Sequence, residues 1–308
     1  MNDSEVQRSS FIVHRSLLVL RLSALGDVIH TIPAVAALRE TYDVSWVVER
    51  PYAELVEIVA QVHAIPVRIK KWARAPLVHR REIAEARRAL RGFDAAIDFQ
   101  GLMKSGMLGL GARQRIGFTR EAIREKPALL FTNEKRRVDT SKHIIEQNLE
   151  LARVAPGEGN WRSFPRPVDA HGDIVLLPGA GKANKLWPAE RFRRVAQHFG
   201  DRVLVAWGPH ERELAAAIGA RAAPPTDLRQ LAFLLQRARV VVGGDTGPLH
   251  LAAALGTKVV GLYGPTDPRR NGPYGQLNRC INVFPSAKSM DAISVEEVVK
   301  LIERVLAE

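Results

Sequence analysis

VVGGDTGPLHLAAALGTKVVGLYGPTDP, residues 241–268, is the stretch whose reading decides the fold. Val240–Val242 is a short apolar run, suited to a strand buried on both faces. Gly243 and Gly244 let the backbone turn tightly and approach a ligand. Thr246 is placed to cap a helix over Gly247–Leu255, with Pro248 in its first turn. Lys258–Leu262 is the next strand, and the loop Gly264–Asp267 follows it. Strand, helix and strand at this spacing predict a parallel crossover. The free N–H groups and dipole at the helix start form an anion site, which a diphosphate fits. A plain strand-to-helix turn explains the same residues, but His250 in the first turn adds chemistry that a turn does not need.

The pattern repeats outward from there. Asp173–Leu177 and Arg202–Ala206 read as strands; Pro188 starts a helix, and His210–Ala220, Leu228–Ala238 and Val295–Ala307 read as further helices. In the first half, Ser16–Leu22 is a buried strand that breaks at Ser23–Asp27, before a helix reaching about Glu40 with Pro33 in its first turns. Val44–Val48 and Asp94–Asp98 are strands, and Gly92 stops the helix that ends near Leu90. The Pro/Gly-rich stretch Ala155–Pro167 reads as an interdomain linker. We therefore expect an α/β chain of two Rossmann-like domains, 16–160 and 161–292. A loose tail 1–15 precedes them, and a C-terminal helix 293–308 packs back toward the first domain. Ligands of such sheets bind in the crevice beyond the carboxyl ends of the strands.

Composition narrows the function. The 308 residues carry 45 Lys+Arg against 33 Asp+Glu, a net charge of +12. Hydrophobic residues at 46% exclude a wholly disordered chain. The single cysteine, Cys280, excludes an internal disulfide and any Cys-based zinc site, and fits a reducing, cytoplasmic compartment. No apolar run is long enough to span a membrane. Histidines are scattered without zinc-helix spacing, so no metal site is expected. Within Arg68–Arg91, nine basic groups stand against Glu82 and Glu85. Such a patch attracts something anionic: nucleic acid, a membrane surface or a phosphorylated substrate. A solvated helix face gives the same pattern.

Individual loops supply candidates. Asp27 opens the first helix, where an acid is favoured by the dipole; facing a cleft, it is also a candidate general base. His30 is three residues further on. Gly179-Ala180-Gly181-Lys182 fails the P-loop pattern, leaving a glycine-rich turn with Lys182 and Lys185 ahead of a helix start. Lys185 is in reach of a phosphate there. Asp94 and Asp98 flank one strand, and Gln100–Lys104 follows it.

Taken together and in this order, these stretches resemble the lipopolysaccharide heptosyltransferases. The likeness rests on LRLSALGDVIHTIPAVAALRE (20–40), SWVVE (45–49), FDAAIDFQGLMKSG (93–106), NKLWP (184–188), WGPHE (207–211) and the stretch 241–268. GDVIHT followed by IKKW (69–72) is most similar to the heptosyltransferase I branch. The resemblance implies a GT-B fold. It also implies inverting transfer of L-glycero-D-manno-heptose from ADP-heptose to a Kdo (3-deoxy-D-manno-octulosonate) of Kdo₂-lipid A, with no cofactor and no metal. It implies Asp27 as catalytic base, and Lys185, Asp245, Thr246, Gly247, His250 and Glu211 as donor-binding residues. Lys104, Arg124 and Lys71 would face the acceptor. Where the family often carries hydroxyl residues before NKLWP, this chain has Ala180 and Gly181, so backbone N–H groups would stand in. The basic segment would then meet an anionic membrane surface at the cytoplasmic face of the inner membrane, not nucleic acid. A later heptosyltransferase, another nucleotide-sugar transferase, a basic nucleic-acid-binding protein and a non-catalytic nucleotide-sugar binder remain as alternative readings.

Overall fold

A computed structural model of the chain describes residues 15–155 and 174–308. The tail up to residue 14 and the linker from residue 156 onward, including the 160/161 boundary, lie outside the described residues. The first half runs β1 (Arg15–Leu20), α1 (Leu25–Leu38), β2 (Tyr42–Glu49), α2 (Ala53–Ala60), β3 (His63–Val67), α3 (Ile69–Arg74), α4 (Arg80–Ala89), β4 (Ala95–Asp98), α5 (Met103–Leu108), β5 (Gln114–Phe118), β6 (Glu134–Arg136) and α6 (Ile144–Ala152). The second half runs β7 (Ile174–Leu177), α7 (Ala189–Phe199), β8 (Val203–Val205), α8 (Arg212–Ile218), β9 (Arg221–Ala222), α9 (Leu228–Arg237), β10 (Val240–Gly244), α10 (Gly247–Ala254), β11 (Val259–Tyr263), α11 (Pro268–Asn271), β12 (Cys280–Asn282) and α12 (Val295–Ala307).

Two six-stranded parallel sheets result, ordered β3-β2-β1-β4-β5-β6 and β12-β11-β10-β7-β8-β9. Alternation along the strands explains why both faces are covered. Leu17 and Val19 of β1 join one apolar cluster, while Leu18 and Leu20 join another beneath Trp72 of α3, Ala86 of α4 and Leu108 of α5. In the second sheet, Val240 and Val242 pack with α7, α8 and α12, while Val241 faces the opposite side with α10. The strand order reverses between β1 and β4, and again between β10 and β7. Loops diverge at such points and leave a crevice.

The structure shifts several sequence expectations. β1 stops at Leu20, because the Leu22 N–H turns to the Gln100 side chain at 2.8 Å. β10 runs on through both glycines, which serve close packing: a Cβ on Gly243 would lie 2.9 Å from that of Leu177. Pro188 caps α7 and is not its first residue, and α8 is shorter at both ends than expected. Pro33 sits inside α1, where burial against α6 and α10 outweighs the lost backbone bond. The C-terminal helix does not pack toward the first half. The apolar stripe of α12, Val295, Val298, Ile302 and Val305, completes the core of the second sheet against α7, β10 and β11.

The halves meet through α1 and α10, whose side chains belong to one continuous apolar cluster. Glycine makes the approach close enough. A Cβ on Gly247 would lie 2.8 Å from the Leu25 side chain, and one on Gly26 would lie 3.1 Å from the His250 ring.

Candidate functional site

At the second switch point, β10 delivers Asp245 into a buried position. Its Oδ2 accepts from Lys185 Nζ at 2.6 Å, and its Oδ1 lies 3.1 Å from both His250 Nε2 and Asn271 Nδ2. Burial pushes the carboxyl up. The hydrogen bonds from His250 and Lys185, with the Lys185 charge, outweigh it and hold the group well below the usual carboxylate range. Asp245 therefore fixes Lys185 above the start of α10. The Lys185 backbone lies over Gly244, where a Cβ would stand 3.1 Å from its carbonyl oxygen. The hydroxyls of Thr246 and Thr266 are buried there with no hydrogen-bond partner. Thr246 occupies the cap position of α10, but its side chain makes no capping bond, contrary to expectation. Buried polar groups are normally paired, so the idle Thr246 hydroxyl at the start of α10 points to a ligand.

At the first switch point, Asp27 lies in the first turn of α1. Arg21 Nη2 holds its Oδ1 at 3.0 Å, and Arg124 Nη1 approaches Oδ2 at 3.5 Å. Arg21 is 2% exposed, and its other terminal nitrogen donates to the Phe99 carbonyl. Its own carbonyl accepts from Trp46 Nε1 at 3.0 Å. Asp98 organises the neighbouring loop: it accepts from Gln100 N, Gly101 N and Ser105 Oγ at 2.9–3.1 Å. Burial pushes its carboxyl up to about 6 against those bonds. Asp94 ties down the start of β1, accepting from Ser16 N and Oγ. These two acids are thus structural.

The α1–α10 contact joins the two points. His30 does not share the exposed face of Asp27; it is buried with its ring centroid 4.5 Å from that of His250 and 5.8 Å from that of His143. Burial, then the neighbouring His250, His143 and Arg21, lowers the His30 pKa well below its ordinary value. His143 Nδ1 accepts from Ile145 N, so its Nε2 carries the proton and donates to the Gly272 carbonyl at 3.0 Å. This bond is a second tie between the halves.

Of the remaining candidates, Glu211 sits over the loop after β7. Its carboxylate accepts from Gly208 N at 2.7 Å, and a Cβ on Gly179 would collide with it at 2.0 Å. Lys104 on α5 lies in the electrostatic field of Glu49, together with Lys70. Lys71 is exposed on α3 and makes no contact with the Asp27 cluster. Sequence reading missed Arg21 and Asn271, and pointed to the loop of Thr266 without singling out its hydroxyl. Among the described residues, no three His, Cys, Asp or Glu side chains are grouped to hold a metal ion.

An acid facing an anion-binding helix start across two such sheets is the layout of the GT-B glycosyltransferases. The chain belongs to glycosyltransferase family 9 (heptosyltransferase), whose model matches residues 83–299. Lipopolysaccharide heptosyltransferase 1 of Escherichia coli K12 is 33% identical over 291 residues, covering 84% of this chain and 91% of the relative. The Pseudomonas aeruginosa enzyme of the same name is 34% identical over 292 residues, covering 84% and 81%. The solved structure of E. coli heptosyltransferase WaaC with ADP has a TM-score of 0.84 and 30% identity, covering 94% of this chain and 99% of that one.

Proposed function

We propose that this chain transfers L-glycero-D-manno-heptose from ADP-heptose to a Kdo of Kdo₂-lipid A in lipopolysaccharide inner-core synthesis. The observation that carries the reading is the pairing of Asp27 with the Lys185–Asp245–His250 array across the α1–α10 contact. Asp27 would take the proton from the attacking Kdo hydroxyl as its oxygen bonds the anomeric carbon. ADP would leave with its charge met by Lys185 and the start of α10 at Thr246 and Gly247. Glu211, whose carboxylate lies against Gly179, would hold the adenosine ribose. The mechanism calls on protein groups alone for counter-charge, and no cofactor is assigned. An assay with ADP-heptose and Kdo₂-lipid A tests it; a product heavier by one heptose is the expected result, and an unmodified acceptor refutes it.

Lys185→Ala is expected to weaken ADP-heptose binding by about tenfold or more, the worth of one charge-assisted bond. Titration calorimetry checks this, and unchanged affinity removes Lys185 from the donor site.

We also read the first half as docking on an anionic membrane surface. Between α3 and α4, Leu77 is 83% and Val78 79% exposed, inside the nine-residue basic cluster of Arg68–Arg91. Apolar side chains ringed by cations suit anionic lipid. A nucleic-acid reading lacks its stacking platform, because the one aromatic of this segment, Trp72, is buried. Among the described residues no helix is long and apolar enough to cross a membrane. Replacing Arg80, Arg81, Arg87 and Arg88 with Glu should abolish sedimentation with lipid A liposomes at low salt, and added salt should release the parent. Equal binding by parent and variant would mark the patch as a solvated face.

A further inference from the structure

The two arginines on Asp27 differ in what they can do. Arg21 is fixed: its side chain is 3% exposed and it is tied to the Phe99 carbonyl as well as to Oδ1. Arg124 is tethered only at its backbone. Its neighbours Ile123 and Glu125 are anchored on Gly101, with the Glu125 N–H donating to the Gly101 carbonyl at 3.0 Å. The Glu125 carboxylate accepts from Met103 N at 2.8 Å. The Arg124 side chain itself is 55% exposed and reaches Oδ2 at 3.5 Å, a long contact. An exposed pair of this kind is weak and exchanges its partner readily.

Both carboxylate oxygens of Asp27 thus face a guanidinium, one held firmly and one loosely. Oδ1 is turned inward on the buried Arg21, Oδ2 is the outer oxygen, and Arg124 lies over it. We propose that Arg124 is a latch on Asp27: it covers the outer carboxylate oxygen until an anionic acceptor draws it away. The inference rests on the transferase reading above. An acceptor carrying a carboxylate beside its attacking hydroxyl offers Arg124 a planar, bidentate partner, better than the single contact it gives up. Moving to that partner both orients the acceptor and uncovers the base. Without acceptor, the latch protects the donor from water. In that side reaction, water oxygen bonds the anomeric carbon, the bond from that carbon to the phosphate oxygen breaks, and ADP leaves with the electron pair. Asp27 takes the water proton.

The test is donor hydrolysis without acceptor, read as ADP release from ADP-heptose, beside heptose transfer to Kdo₂-lipid A. In Arg124→Ala, acceptor-free hydrolysis should rise about two- to fivefold, the population freed by loss of one exposed ion pair. Transfer should fall at the same time, with a raised acceptor KM. Arg124→Lys should return hydrolysis toward the parent rate, while transfer stays impaired for want of the planar fork. Hydrolysis that is unchanged or lower in Arg124→Ala, with transfer still impaired, overturns the latch and leaves Arg124 as an acceptor contact alone. A parent that transfers no heptose refutes the transferase reading, and the latch falls with it. Titration of ADP into Arg124→Ala confirms that the variant is folded.

Discussion

Asp27→Asn should lower heptose transfer by about 10²–10⁴-fold, the range for loss of a general base. The amide keeps the size of the carboxylate and its place in the first turn of α1, but it cannot accept a proton. It also keeps one oxygen for Arg21, so the buried guanidinium retains a partner. ADP affinity should stay near that of the parent, because the residues assigned to the donor lie in the second half, on the loops after β7, β8 and β10 and in the first turn of α10. The split between turnover and binding is the informative part. It is read by steady-state kinetics with ADP-heptose and by calorimetry with ADP. Turnover within a few-fold of the parent would remove Asp27 from the chemistry.

Asp245→Asn should strike stability and donor affinity together. Asp245 is the common partner of Lys185, His250 and Asn271, and its side chain is 5% exposed. The substitution leaves Lys185 without its counter-ion. Lys185 is 22% exposed, so water absorbs part of the loss, and about 1–3 kcal/mol is expected. At roughly 2–4 °C per kcal/mol, Tm should fall by several degrees at pH 7. The pH dependence has a definite sign. The Asp245 carboxyl is held below its ordinary value, so its contribution is present above about pH 4 and is lost as pH falls toward the folded pKa. The Tm gap between parent and variant should therefore narrow between about pH 4 and pH 3. A gap that is absent at pH 7, or that widens in acid, would contradict an ionised Asp245 at the centre of this array. ADP affinity should fall as well, because Lys185 is no longer aimed at the start of α10.

The parts of this arrangement that local sequence pattern encodes were readable from it. LLVL in β1 and the strand-helix-strand of residues 241–268 are buried on both faces, so they stand out as apolar runs with glycine punctuation. β3 and β5 do not. His63–Val67 lies at a sheet edge, where Pro66 is tolerated, and Gln114–Phe118 begins with two polar residues. Asp27 and Lys185 could be singled out because each sits at or just before a helix start, and Asp245 through the resemblance carried by its glycine-rich stretch. Arg21 could not, since it follows an apolar run and its role comes from a side chain turned back across the strand ends to Phe99 and Asp27. Asn271 reaches Asp245 from 26 residues away, and Thr266 matters through a hydroxyl with no partner. Neither fact has a local signature. The placement of α12 was misjudged for a related reason: its apolar stripe shows that it must pack, but not on which sheet.

The two glycines at the α1–α10 contact have a mechanical consequence. With Leu25 against Gly247 and His250 against Gly26, the two helix starts have no slack between them. Opening of the halves cannot proceed by separating them at this point without breaking a continuous apolar cluster. A pivot at this contact would leave that cluster intact. Asp27 and Asp245 stand beside it, one on each side. Rotation about that point would change the spacing between these two acids least.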